Sequence, residues 1–509
     1  MSDLVIGLDS STQSTKAIAW TRDGVEVAHG RAPLTLHNPA LFCFEQDPED
    51  WWTTCCVALK ALLSQVDPKR IAGLAIANQR ETVAFIDAAG HSVRPAMIWL
   101  DERARDFVAP LVARIGHTRL HQISGRPPDV IPVLFRLAWM RQHEPDLFAR
   151  TAWFADVQGF LVQRLTGRRR TGWTSADPFG MFDLQERRWS PQLLSELGLA
   201  EDRLSETHRP GAELGRVTAA AAAATGLVEG TPIYAAGGDG QCAALGAGCI
   251  RSDRAYVNTG TALVGGIWSP DYVCNPAWRT EMAAQGEGYV FETCVRSGAF
   301  LINWFTDQLL GSTDRPATLA ELEARAAAIP IGSDGVMALP YWSGSMDPHW
   351  DADARGCFFG LGGNHHVGHL YRALLEALTL HQVAALVEVE AQANTRIAEY
   401  VLIGGGAGSA LWRQMFADAS GLPVLIGATL EASSLGAAMT AACGAGWYSS
   451  VTEAARAMVS ETTTVQPVAA RASDYRELLA IHRDLYAASA DINHRLVDFA
   501  TRHQARETT

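Results

Sequence analysis

Apolar runs broken by hydroxyl-rich turns open both halves of the chain. Residues 4–8 are apolar, 9–15 are polar, and 16–20 are mostly apolar again. Asp23-Gly24 then makes a two-residue turn into a third run at 25–29. This spacing predicts strand, polar turn, strand, tight hairpin, strand. Further on, residues 254–257, the turn Asn258-Thr259-Gly260-Thr261 and residues 262–268 repeat part of the pattern, which suggests a duplicated fold.

Helix signals alternate with these strands. Asp47-Pro48-Glu49-Asp50 supplies an N-cap, a proline at the first helical position and early acidic residues, so a helix is predicted over 51–63. Residues 71–77 read as a strand. Later, 400–403, a glycine turn at 404–409, 410–419 and 424–426 read as a βαβ unit, followed by helices at 433–443 and 475–496. The fold class predicted is α/β. The main division falls after the Gly-rich stretch, which gives an N-terminal domain at 1–246 and a C-terminal domain at 247–509.

A chain of 509 residues is long enough for two cores, and 48% hydrophobic against 19% charged content suits a globular enzyme. A net charge of -13 disfavours a nucleic-acid partner. Nine scattered cysteines with no CxxC pair predict reduced thiols. No leader-like segment and no apolar run near the roughly 20 residues of a bilayer span is evident, so a cytoplasmic, non-membrane protein is expected.

Four segments offer chemistry. Small hydroxyl residues after the first strand, with Lys16, suit phosphate oxygens, and Asp9 suits a magnesium ion held through water; an ordinary hairpin is the plain alternative. Asp239, bracketed by glycines in Gly237-Gly238-Asp239-Gly240-Gln241, suits a base on open backbone that substrate can approach, or a simple Asp-Gly turn. Gly404-Gly405-Gly406-Ala407-Gly408-Ser409 suits a nucleotide or a tight connection. Gln79-Arg80-Glu81-Thr82, and Trp99 to Arg103, suit hydroxyl recognition at strand ends or solvated loops. His365, His366 and His369 read as a polar helix start rather than a metal cluster. No Walker A loop and no GxSxG elbow occurs.

Taken in order, these segments resemble the FGGY family of carbohydrate kinases over nearly the whole chain. GLDSSTQSTK at 7–16 and NTGTALV at 258–264 are similar to its phosphate motifs. FEQDPEDWW at 44–52, NQRET at 78–82 and IWLDERA at 98–104 are similar to its sugar side. ADVQGFLVQRLTG at 155–167 and TSADPFGMFD at 174–183 resemble the stretch before its catalytic block, GGDGQCAALGAG at 237–248. ARGCFFGL at 354–361 and RALLEAL at 372–378 follow, and GGGAGSALWRQMFAD at 404–418 with EASSLGAAMTA at 431–441 resembles the adenosine side.

The resemblance implies two actin-like (ribonuclease-H-like) domains with ATP in the cleft between them. It implies Asp239 as catalytic base and a sugar held by Gln79, Arg80, Glu81, Asp101, Asp239 and Gln241. It places ATP against Ser11, Thr12, Gln13, Lys16, Thr259, Gly260, Thr261, Gly405, Gly406, Ala407 and Ser409, with Mg2+ oriented by Asp9 and Asp239. A homodimer is common in such kinases, though no interface is legible. NQRET is similar to glycerol kinases, whereas FEQDPEDWW and WRQMFAD are similar to xylulokinases. D-xylulose is the expected substrate, with glycerol or another polyol or ketose as the alternative. Two other classes compete: a non-catalytic actin-like sugar sensor, and a nicotinamide dehydrogenase using the Gly404 loop with Glu431 on the ribose.

Overall fold

A computed structural model describes residues 2–507. Three strands, β1 (Leu4–Ser10), β2 (Ser14–Trp20) and β3 (Glu26–Pro33), form an antiparallel meander. Helix α1 (Pro48–Leu63) crosses back to β4 (Ile71–Asn78), which lies parallel to β1. Asp47 caps α1 by accepting a hydrogen bond from the Glu49 N–H at 3.0 Å. After α2 (Val157–Thr166) come β5 (Glu213–Arg216) and β6 (Pro232–Gly238), and the first sheet has the order β5-β6-β4-β1-β2-β3. A smaller five-stranded sheet, including Cys43–Gln46, Val83–Ile86 and Ser92–Met97, flanks it.

Helix α3 (Asp239–Gly246) leads into the second half. There β7 (Arg254–Thr259), β8 (Leu263–Ser269), β9 (Arg279–Met282) and β10 (Tyr289–Val295) are antiparallel neighbours. Helix α4 (Val367–Gln392), β11 (Glu399–Ile403), α5 (Ala410–Ser420) and β12 (Val424–Gly427) add parallel strands beside β7. Then follow α6 (Ala432–Gly444), α7 (Val451–Met458), β13 (Glu461–Val465) and the long α8 (Ala472–Glu507). The second sheet runs β9-β10-β8-β7-β11-β12-β13. The series β10-β8-β7-β11-β12 repeats β3-β2-β1-β4-β6 in order and direction, so the duplication suggested by two short turns extends through both sheets.

The two sheets meet through α3 and α6. On α3, Cys242 and Leu245 pack with Val5, Ala75 and Ala77 of the first sheet, while Ala243, Ala244 and Ala247 face Tyr256, Val401 and Ile403 of the second. The helices approach backbone to backbone: a Cβ on Gly246 would lie 2.0 Å from the Ala432 carbonyl oxygen, and one on Gly436 2.0 Å from that of Cys242. The break expected at 246 therefore separates the sequence but not the packing. Helices α6 and α7 belong to the second half, yet Leu435, Met439, Ala454 and Met458 cover the first sheet.

Helix α4 is long and apolar enough to cross a membrane by length and composition, contrary to the expected lack of such a run. Its apolar surface is taken up inside the protein, against the second sheet, α5 and α8. His366 caps its start and His369 completes the capping box, so the histidine group is a helix N-terminus. All nine cysteines are free.

Gly436→Ala gains helix propensity worth up to about 1 kcal/mol. It also drives a Cβ into a backbone oxygen that has no rotamer to give way, and overpacking of that kind costs about 1–3 kcal/mol. The variant is expected to unfold at lower denaturant than the parent, as read by circular dichroism; an unchanged or higher midpoint would show that the helices can part without loss.

Candidate active site

The chain ends of β1, β4 and β6 converge on one floor. Asp9 lies opposite Lys16 in the β1–β2 pair and beside Ala77 of β4. Asp239 is the first residue of α3, set by the end of β6, and accepts a hydrogen bond from the Gly240 N–H at 2.8 Å. Ser433 donates to the Asp239 carbonyl at 3.2 Å and Ser434 to that of Gly7 at 2.8 Å, so the start of α6 clasps both strand ends.

Arg80 sits beneath Asp239. Its Nε is 3.3 Å from Asp239 Oδ1, while its other nitrogens reach Glu281 at 2.6 Å and Glu292 at 3.0 Å. Those glutamates come from β9 and β10 of the other half. Arg126 joins Glu81 at 2.7 Å, Glu281 at 2.8 Å and Asp177 at 3.4 Å. Arg279 joins Glu292 and, at 3.4 Å, Glu81. Three arginines and four carboxylates thus interlock beneath the catalytic candidate, nearly out of reach of water. Glu81 holds its place with a φ of 46°, a left-handed backbone that its paired carboxylate helps to stabilise.

Within this cluster Asp239 is set apart by access. Its side chain keeps 36% of its surface, whereas those of Asp177, Glu281 and Glu292 keep 0%. Burial, partly offset by Arg80, pushes Asp239 up to about 6, which leaves it mainly a carboxylate at neutral pH. Burial and the Asp239 charge, against Lys16, push Asp9 up to about 8. Burial acts against the charge of Glu292 as well, but Arg80 and Arg279 outweigh it and hold that carboxylate down to about 2. Asp9 Oδ1 is buried with no hydrogen-bond partner. Raised to about 8, Asp9 by itself is mainly protonated at neutral pH, and an orphaned carboxyl oxygen beside a second carboxylate is a donor set that fits a hydrated divalent cation, whose charge would favour the ionised form.

The glycines around Asp239 have a different role from the expected one. A Cβ on Gly238 would lie 2.1 Å from Gln241 Oε1, and one on Gly240 would lie 2.7 Å from Glu292 Oε2. They admit the protein's own charged and amide groups rather than opening the backbone to substrate. Gln241 is itself buried, donating to both oxygens of Asp177 at 3.3 Å, and Asp101 has no exposed surface, being paired with Arg103 at 2.6 Å while accepting from the Phe44 N–H. The Asp101 carboxylate is thus taken up by protein groups, whereas Gln241 spends its Nε2 on Asp177 and keeps a buried Oε1 with no hydrogen-bond partner. Gln79 is likewise enclosed, donating to Gln46 at 2.7 Å and accepting from Thr12 at 3.4 Å.

The phosphate candidates divide in the same way. Ser11, Thr12 and Gln13 form the open β1–β2 turn, with Thr12 accepting from Trp99 Nε1 at 2.8 Å. Lys16 reaches across to Glu431, just before α6, at 2.7 Å. In the second half Gly260 and Thr261 form the matching turn, whereas the Thr259 hydroxyl is buried and donates to the Ile403 carbonyl at 2.8 Å. The glycine loop lies alongside. Gly405 and Gly408 face open space, Gly406 is filled by Trp412 and Thr259, Ala407 is buried, and Ser409 caps α5 by accepting from the Trp412 N–H at 3.0 Å. Thr259, Ala407 and Ser409 therefore shape the loop through protein contacts, and the surface left for a ligand is backbone.

Arg126, Asp177, Arg279, Glu281 and Glu292 were not singled out from the sequence. The available signal was charge on strands that otherwise read as core, Arg279 and Glu281 on β9 and Glu292 on β10.

Family models for the N-terminal and C-terminal domains of FGGY carbohydrate kinases match residues 4–246 and 255–445. The xylulose kinase of Bacillus subtilis (strain 168) is 29% identical over 504 residues, covering 97% of this chain and 99% of that protein. An autoinducer-2 kinase of Klebsiella pneumoniae is 28% identical over 514 residues, covering 95% and 93%. The crystal structure of xylulose kinase from Rhodospirillum rubrum superposes with a TM-score of 0.87 at 29% identity, over 96% of this chain and 100% of that one. With both of its domains matched in order on a duplicated fold, the chain belongs to the FGGY family of carbohydrate kinases.

Proposed function

We propose that this kinase transfers the γ-phosphate of ATP to a terminal hydroxyl of a small sugar, with D-xylulose as substrate and D-xylulose 5-phosphate as product. The observation that carries the reading is the access of Asp239. It is the carboxylate at the top of a buried charge network, still open to the cleft and ionised at neutral pH.

In this mechanism the sugar hydroxyl gives its proton to Asp239 while its oxygen attacks the γ-phosphorus and ADP leaves. Arg80 keeps Asp239 charged and aimed. The Ser11–Gln13 and Gly260–Thr261 turns offer N–H and O–H groups to phosphate oxygens, and the open backbone at Gly405 and Gly408 lines the nucleoside side. Asp9 and Asp239 would hold magnesium, which supplies charge neutralisation at the phosphoryl oxygens.

The xylulose kinases among the relatives favour the ketopentose. The Arg80-Glu81 pair, similar to glycerol kinases, is consumed by Glu281, Glu292 and Arg126, which weakens glycerol as the alternative. The named autoinducer-2 kinases add a third candidate.

Asp239→Asn is expected to bind ATP and sugar with little change in KM while turnover falls about 100- to 10,000-fold; near-normal turnover would remove Asp239 as the base. ADP release measured with ATP and magnesium across D-xylulose, D-ribulose, L-ribulose, xylitol, erythritol, glycerol and autoinducer-2 is expected to be highest with D-xylulose. A greater kcat/KM with any other acceptor replaces the substrate but not the mechanism. Arg80→Ala leaves Glu281 and Glu292 short of a counter-charge, and loss of one partner from a buried pair costs about 3–5 kcal/mol. A denaturant midpoint equal to the parent's would show that the network is not structural.

A further inference from the structure

A second cavity lies in the second half, away from the cleft. It measures about 520 Å³, opens to solvent, and is lined by α4, α8, the loop at 341–349 and residues 275–277. None of its lining residues belongs to the phosphate turns, the glycine loop or the charge network.

The cavity has an aromatic wall and a polar end. Tyr486 stacks on His349 with ring centroids 3.5 Å apart. Tyr341 stands edge-on to His349, His381 and Tyr486 at 6.1, 5.6 and 5.9 Å. His381 and His482 face each other edge to face at 6.2 Å. They are only 5% and 4% exposed, and His381 Nε2 and His482 Nδ1 have no hydrogen-bond partner. His381 uses its other ring nitrogen, Nδ1, on the Tyr341 hydroxyl at 3.3 Å.

Buried polar atoms are nearly always partnered, so two unpartnered nitrogens on histidines that line one cavity point to a ligand that supplies the missing bonds once the rings turn toward it. We propose that this cavity binds an uncharged, hydroxyl-bearing small molecule of about monosaccharide to glycoside size, at a site separate from the phosphoryl-transfer cleft. A hydroxyl both donates and accepts, so it matches either tautomer of each imidazole. The faces of Tyr341, His349 and Tyr486 suit the apolar face of a sugar ring. A purely apolar ligand would leave the nitrogens unmet.

A charged ligand finds no net counter-charge in the lining. Burial, reinforced by neighbouring histidines, holds His381 down to about 3, and burial holds His482 and His349 down to about 4, so all three are neutral at physiological pH. The charged residues among the lining are Glu388 and Arg483, one of each sign. No group of three or more His, Cys, Asp or Glu suited to a metal occurs among the described residues. The volume is also far beyond a single bridging water, whose share of the liquid is about 30 Å³.

The loop beside this cavity also touches the first half. Pro348 and His349 line the cavity, while Met346 and Trp350 on the same loop pack with Val130 and Ile131 of the first half. Asp347, between them, accepts from the Cys294 N–H at the end of β10 at 2.6 Å.

The test is an NMR titration of full-length protein, labelled with 15N in histidine, with methyl β-D-xylopyranoside, xylitol and D-xylulose as probes and D-xylulose 5-phosphate as the charged counterpart. Ring resonances of His381 and His482, assigned with His381→Phe and His482→Phe, are expected to shift saturably with at least one uncharged probe, also in the Asp239→Asn background, and not with the phosphate. Ala384→Trp, which fills the cavity from α4, and His482→Phe are each expected to weaken that binding about tenfold or more, as loss of a buried hydrogen bond or of the space itself requires. Both should retain ATP-dependent sugar turnover, which also shows them folded. Silence of both histidines with every uncharged probe on the parent protein overturns the proposal, as does a shift that the phosphate produces equally. A failure of sugar turnover in the parent would challenge the proposed reaction while leaving this titration to be read by itself.

Discussion

Backbone contact between α3 and α6 is the constraint on which the rest of the molecule depends. Two glycines let the helices touch where any side chain would strike a carbonyl oxygen. Each helix follows a parallel strand at the same place in its own sheet, so the contact relates the two copies of the fold. It also sets the chemistry, because α3 begins at Asp239 and Glu431 immediately precedes α6. The distance between the candidate base and the Lys16–Glu431 bridge follows from how closely these helices approach. Small residues are a packing necessity here before they are anything else.

Charge does what apolar packing does not at the floor of the cleft. Arg80, Arg126 and Arg279 take partners from both halves, so the halves are joined by ionic contacts as well as by helices. Such a network is satisfied only in one relative placement of β9, β10 and the loop after β4, which makes it a device for registering the two halves. Asp239 stands at its edge, drawing on Arg80 for its charge while keeping its own exposure. A base in a kinase needs both properties: it must be ionised before transfer and within reach of a hydroxyl.

The fold was legible because its signals are local. Alternating apolar residues, the Asp47-Pro48 start, the Asp23-Gly24 turn and the Gly404 loop each report on a few neighbouring residues, and the strands and helices they predict are present with most boundaries shifted by a few residues. The terminal helix predicted at 475–496 extends over Ala472–Glu507. The order of motifs also led to the expectation that Asp9, Asp239 and the glycine loop share one cleft. What those residues do with their side chains was less legible. Asp101, Thr259 and Ser409 carry polar groups where a ligand was expected, and each spends them on the protein itself, as Gln241 does with its Nε2.

The sequence by itself therefore determined an α/β chain with two copies of one strand pattern, two hydroxyl-rich turns and one glycine-bracketed aspartate. Spacing along the chain encodes these, since hydrogen bonding within turns and the pleat of a strand act over a few residues. Tertiary structure alone decided that Arg80 and Glu81 lock into Glu281, Glu292 and Arg126, that α6 and α7 cover the first sheet, and that His381 and His482 share a cavity with unmet nitrogens. Those pairings join residues up to hundreds of positions apart, and ion pairs and burial depend on distance in space, which no local pattern records.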